Sequence, residues 1–151
     1  MTEYKKIIAQ NKKALFNYFI EERLEAGIVL KGSEVQSLRQ GKASIEESHA
    51  ADTGNEVFLY NCHIAEYEKA NRFNHSTRRP RKLLLHKKEI NKIIGKTKIK
   101  GYTLVALSMY FNKNKIKIEL GIAKGKKLHD KRESIKEKDW KRDQSRLIRQ
   151  K

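Results

Sequence analysis

The chain has 151 residues, with 35 Lys and Arg against 18 Asp and Glu, a formal charge of +17. That balance points to a polyanionic partner, nucleic acid before an acidic membrane surface, because no stretch has the broad apolar face of a membrane-lying helix. The single Cys62 excludes an intramolecular disulfide and a multi-cysteine zinc site, and no apolar run approaches the ~20 residues of a membrane span.

The charged start, MTEYKKIIAQNKK, does not read as a signal peptide, so the chain is read as cytoplasmic, one domain with an appendage. Residues 1–12 offer little beyond Ile7 and Ile8 and read as a loose arm. Tyr18 to Leu30, YFIEERLEAGIVL, reads as a long strand, bent or bulged near Gly27. Its acids Glu21, Glu22 and Glu25 are either a solvated face or acceptors for a base edge. Gly32 ends the strand, and Ser33 with Gln36 has capping-box spacing for a helix over Ser33 to Gln40. Val35 and Leu38 share one face of that helix, and Gly41 stops it. Lys42 to Ala51 reads as extended, Asp52 to Asn55 as a turn, and Glu56 to Tyr60 as a strand. The strand continues through Cys62, His63 and Ile64, with Cys62 a small core residue.

Glu66 to Lys82, EYEKANRFNHSTRRPRK, has no apolar period and reads as a long basic loop around Pro80. Arg78, Arg79, Arg81 and Lys82, interleaved with Tyr67, Phe73 and His75, suit phosphates and stacked bases. Mere exposure is the other reading, but structureless loops this long usually have a role. Leu83 to Leu85 anchor the loop, and His86 to Ile94 fits a helix with Ile90, Ile93 and Ile94 inward and Gly95 closing it. After the basic connection Lys96 to Lys100 comes a hairpin: Tyr102 to Phe111, a turn at Asn112 to Asn114, and Lys115 to Ala123. Ile116, Ile118, Leu120 and Ile122 alternate with Lys117, Glu119, Gly121 and Ala123, which predicts one buried face and one wet face.

Beyond Gly125 no glycine or proline occurs, and Lys126 to Lys151 holds eleven Lys and Arg against five Asp and Glu. Leu128, Ile135, Trp140, Leu147 and Ile148 are too few to bury against a core. Such a segment is either a helix that folds against a polyanion or a solvated tail. Strand count and spacing predict a mainly β chain, a small closed or nearly closed OB-type barrel with inserted short helices. No P-loop, HExxH or CxxC occurs, and His49, His63, His75, His86 and His129 lack metal-ligand spacing. No catalytic, cofactor or metal site is therefore assigned. A nuclease would have only Glu21, Glu22 and Glu25 to hold a metal.

Three blocks go further. EAGIVLKGSEVQSLRQGKAS from Glu25, RPRKLLLHKKEI from Arg79 and GIAKGKKLHDKRESIKEKDW from Gly121 resemble, in order, the SsrA-binding protein (small protein B) family. The similarity spans Asn11 to the C-terminus. It implies an OB-like barrel over 13–125 between a flexible arm, 1–12, and a basic tail, 126–151, disordered alone and helical on RNA. It also implies a monomeric, non-catalytic adaptor without cofactor that binds the tRNA-like domain of tmRNA. Such an adaptor brings alanyl-charged tmRNA to stalled ribosomes for trans-translation.

Position by position, the resemblance puts Glu25, Leu84 and His86 on the tmRNA side, with Arg79, Arg81 and Lys82 beside them. Gly125 marks the barrel–tail junction. Lys126, Lys127, His129, Asp130, Lys131, Arg132 and Trp140 match the tail that acts in the decoding centre and empty message channel, against small-subunit ribosomal RNA. Three positions depart from the family pattern. His86 stands where some relatives have Asn, Thr77 where many have Pro, and Phe16 where a His is frequent. From the residues alone, a basic ribosomal structural or assembly protein is the alternative.

Overall fold

A computed structural model describes residues 5–70, 74–126 and 128–149. In chain order the elements are β1 (Lys5–Gln10), α1 (Lys12–Asn17), β2 (Tyr18–Ile28), α2 (Gly32–Arg39), β3 (Ala43–Ser44), β4 (His49–Asp52) and β5 (Val57–Tyr60). They are followed by β6 (His63–Ile64), β7 (Arg81–Leu84), α3 (Lys87–Thr97), β8 (Tyr102–Asn112), β9 (Lys115–Gly125) and α4 (Leu128–Arg149). Every pairing is antiparallel, and the order β8-β4-β5-β7-β2-β9 closes on itself because β9 returns to β8. That ring is the barrel the strand count predicts. β1 adds to β8, and β3 and β6 form a separate short ladder.

The hairpin β8–β9 is the longest ladder, and alternation built it. Ile118, Leu120 and Ile122 stand beside their ladder partners Met109, Ala106 and Leu104 on the core side, all six fully or almost fully buried. Leu38 of α2 and Ile93 of α3 plug the same core. Each such side chain stabilises the fold by roughly 1.5–3 kcal/mol. The turn residues Lys113 and Asn114 both take positive φ, 50° and 66°, which matches the strand twist of a two-residue hairpin loop.

Several expectations are corrected. Residues 5–10, placed in a loose arm, are strand β1: Ile7 pairs with Tyr110 of β8, and Ile8 sits at a register shift and packs against the core. The expected wet face of β9 is only half wet, because Gly121 and Ala123 are buried. Ala14 of α1 packs there with Val105, Leu107 and Ala123, flanked by Tyr18 and Ile20. Asn11 holds α1 in place: its Oδ1 accepts from the Ala14 N–H and its Nδ2 donates to the Ala106 carbonyl at 3.0 Å. The bulge in β2 lies between Ile20 and Glu22, not at Gly27, which pairs regularly with Leu84 and Lys117. α2 begins at Gly32, with the Lys31 N–H donating to Glu34 Oε1 at 2.7 Å in place of the Ser33–Gln36 box. α3 does not stop at Gly95 but runs to Thr97, whose hydroxyl donates to the Ile93 carbonyl at 2.8 Å.

The basic stretch 66–82 is a loop only as far as Pro80. Asn74 pins it, accepting from the Tyr67 N–H and donating to the Tyr67 carbonyl. His75, read as a stacking ring, is buried, with Nδ1 on Ser33 Oγ and Nε2 on the Ile64 carbonyl, both at 2.9 Å. Phe73 lies outside the described residues.

Cys62 is fully buried, and burial pushes its thiol up to about 11. Native protein is therefore expected to resist an aromatic disulfide reagent at pH 8 and to react only as denaturant unfolds it. Immediate stoichiometric labelling of folded protein would contradict this placement.

Candidate functional site

One cross-strand row runs around the outside of the barrel. Leu84 of β7 lies opposite Gly27 of β2, Gly27 opposite Lys117 of β9, and Lys117 opposite Tyr110 of β8. A Cβ on Gly27 would sit 3.2 Å from Leu84 Cβ and 3.7 Å from Lys117 Nζ. The glycine thus makes the low floor where an exposed apolar side chain and an ammonium come together. Glu25, two residues back on β2, lies on the same face, and its carboxylate accepts from the Tyr110 hydroxyl. In the next row Glu119 accepts from Arg23 at 2.6 Å.

Leu84 is 52% exposed, unusual for a leucine in the middle of a ring of paired strands. An exposed leucine beside a carboxylate acceptor and a lysine offers stacking area, a hydrogen bond to a base edge and a phosphate contact in one place. Past Leu84 the chain turns at exposed His86, whose N–H donates to Glu89 Oε1 at 3.0 Å to start α3. Lys82 leaves β7 on the side of Leu84 and pairs with Glu56 at 3.1 Å, half-exposed. Around Leu84 the structure thus places Glu25 on one side and Lys82, opposite Val29, on the other, with His86 just past the end of β7. Lys117, Gly27 and Tyr110 were not picked out from the sequence. The outward phase of Lys117 in β9 was the only available signal.

Arg79 and Arg81 behave differently. Arg81 has no exposed surface. Its Nε is on Glu34 Oε2, Nη1 donates to the Cys62 carbonyl at 2.7 Å and Nη2 to the Thr77 carbonyl at 3.2 Å. Arg79 grips the other side of the same carboxylate through Nε and Nη2. Burial would raise the Glu34 carboxyl, but the hydrogen bonds from Arg79, the Lys31 N–H and Arg81 outweigh it and hold the group below the usual carboxylate range. Arg81, placed on the tmRNA side by resemblance, is thus an internal strut with no exposed surface for a ligand. Arg79 is mostly consumed in the same way.

At the other end of β2 lies the tail root. Gly125 pairs with Tyr18, and the Lys126 N–H donates to the Asn17 carbonyl at 2.9 Å. Lys126 Nζ reaches the Leu15 carbonyl at 3.3 Å and lies 5.0 Å above the Phe19 ring. Phe16 stands on α1 with 38% of its surface exposed. Lys127 lies outside the described residues. His129 and Asp130 fall in the first turn of α4, and Lys131, Arg132 and Trp140 follow on it, Trp140 61% exposed. The most extensive contact of α4 with the body is at α1. Among the described residues no group of three His, Cys, Asp or Glu side chains could hold a metal, and no helix is long and apolar enough to cross a membrane.

The SmpB protein family matches residues 8–150. The chain belongs to the SmpB family. It is 98% identical to an "SsrA-binding protein" of Rickettsia bellii (strain RML369-C), covering 100% of both chains. It is 93% identical to an "SsrA-binding protein" of Rickettsia felis, again with 100% of both chains covered. A chain of the solved structure "tmRNA-SmpB: a journey to the center of the bacterial ribosome" is 42% identical, with a TM-score of 0.64 over 89% of this chain and 95% of that one. The SmpB family resemblance read from the three blocks, and the mainly β barrel expected from it, are therefore both supported.

Proposed function

We propose that this chain is a non-catalytic, cytoplasmic RNA-binding adaptor, acting as a monomer, that holds the tRNA-like domain of tmRNA and carries it to stalled ribosomes. The Leu84–Gly27–Lys117 floor, bordered by Glu25, carries this reading, together with the names of the SmpB relatives. The barrel grips the tRNA-like domain through Glu25, Leu84, His86, Lys82 and Lys117, while Arg79 and Arg81 stiffen the strand beneath. The tail, with Gly125 and Lys126 at its root, enters the decoding centre and the vacant message channel through His129, Asp130, Lys131, Arg132 and Trp140. Its basic helix suits a phosphate-lined wall, so a message in the channel competes with it for space and charge. That competition makes the adaptor a sensor of an empty channel.

The test is a gel-shift titration against the tRNA-like domain at near-physiological salt, with an ordinary tRNA and a 16S fragment as competitors. A strong preference for the tRNA-like domain is expected. Equal binding to all three would mean the charge acts generically and would favour a ribosomal structural protein. Lys82→Glu with Lys117→Glu is expected to weaken tRNA-like-domain binding and flatten its salt dependence, by roughly 0.7 in log–log slope for each phosphate no longer neutralised. An unchanged slope would remove both lysines from the interface.

A further inference from the structure

A second exposed surface lies at the tail end of the barrel, apart from the Leu84 floor. Phe19 of β2 and Tyr102 of β8 each pair directly with Lys124 of β9, so the three side chains stand in one row on one side of the sheet. Phe19 is 48% exposed. Ammonium groups lie over both rings: Lys126 Nζ is 5.0 Å from the Phe19 centroid, and Lys96 and Lys124 are 5.4 and 5.9 Å from that of Tyr102. Glu21 is the acid in contact with this row, and it fixes the geometry. It accepts from the Tyr102 hydroxyl at 2.7 Å and pairs with Lys96 at 3.5 Å. The connection from α3 brings Lys98, Ile99 and Lys100 to the start of β8, with Ile99 51% exposed.

Aromatic rings interleaved with cations, on a surface where lysines outnumber acids, match single-stranded nucleic acid: bases stack while ammoniums follow the phosphates. A protein partner would be expected to meet a less one-signed surface. Position narrows the choice further. Lys126 joins the row to the tail, so RNA that surrounds the tail also lies against Phe19.

We propose that Phe19, Tyr102, Lys96, Lys124 and Lys126 form a stacking platform for unpaired nucleotides of small-subunit ribosomal RNA at the tail root. This rests on the adaptor reading. The platform would orient the tail before the tail itself is bound, because one base stacked on Phe19 restricts the swing of the segment beyond Gly125.

The test compares full-length wild type with Phe19→Leu, which keeps apolar volume but removes the ring, and with Lys124→Gln. Affinities are measured for purified small subunits and, separately, for the tRNA-like domain of tmRNA. Both sites are exposed, so melting temperatures are expected to match wild type. The expected result is a loss on the order of tenfold in small-subunit affinity for Phe19→Leu, the scale of one stacked base, with tRNA-like-domain affinity unchanged. Phe19→Tyr should restore binding. Unchanged small-subunit affinity in both variants would overturn the platform and leave the adaptor reading intact. A loss confined to the tRNA-like domain would overturn it too, assigning the row to the tmRNA face. Wild type that binds neither RNA would overturn the adaptor reading and the platform with it.

Discussion

Ending the chain after Lys126 is expected to abolish tagging of stalled translation products while leaving tRNA-like-domain affinity within about tenfold, or ~1.4 kcal/mol. The two activities separate because the structure separates their parts. The core side chains lie before the tail, and hydrogen bonds from Lys126 to Asn17 and Leu15 close the junction. Cutting after Lys126, instead of at Gly125, keeps the bonds to Asn17 and Leu15. α4 presents Ile135 and Trp140 to solvent and so contributes little burial to the body. The melting temperature of the truncated protein should stay within a few degrees of the full chain. Tagging assayed in a reconstituted translation system with a truncated message is the decisive readout. A shortened protein that still supports tagging would remove the tail from the mechanism.

Glu34→Gln is expected to be the most destabilising conservative substitution in the barrel, because it leaves Arg81 charged, fully buried and without its counter-ion. Breaking one side of a buried pair costs about 3–5 kcal/mol. For a domain of this size that lowers the melting temperature on the order of 10 °C. A double replacement, Glu34→Met with Arg81→Met, should recover part of the loss, since the charge left without its partner is then only that of Arg79, which still reaches solvent. An unaltered melting temperature for Glu34→Gln would show that water reaches the guanidinium.

The pair also predicts a pH dependence. The Glu34 carboxyl is held below its ordinary value, so the folded state binds this proton less readily than the unfolded chain. Its contribution is fully present above the unfolded value, ~4.3, and is lost as pH falls through the folded one. Wild type should therefore lose more stability than Glu34→Gln on acidification below about pH 4. Equal acid sensitivity of the two proteins would place the linkage elsewhere.

How far the sequence alone reached depended on which force decided each element. The β8–β9 hairpin was legible because a strict period of two leaves few alternatives. β1 was missed because Ile7 and Ile8 look too sparse to hold a strand, and only the open edge of β8 makes them sufficient. Arg81 was read as surface because arginine is rarely buried. Nothing local announces a carboxylate waiting 47 residues earlier in the chain. Ser33 was given the cap because hydroxyls favour it, yet His75 claims that hydroxyl and Glu34 serves the helix start. At the candidate site Glu25, Leu84 and His86 came from resemblance, whereas Lys117 required the register of two strands to be known.

β2 also works as a spacer. It joins Phe19 at the tail root to Gly27 at the Leu84 floor within a single paired strand. At about 3.4 Å per residue these points stand roughly 27 Å apart. Paired on both edges over parts of its length, the strand cannot stretch, and losing one residue would flip every following side chain to the opposite face. The body therefore behaves as a rigid gauge block. On the adaptor reading proposed above, variation in reach from one ribosomal state to another falls to the segment beyond Lys126, with the barrel as a fixed length standard against which that segment is measured.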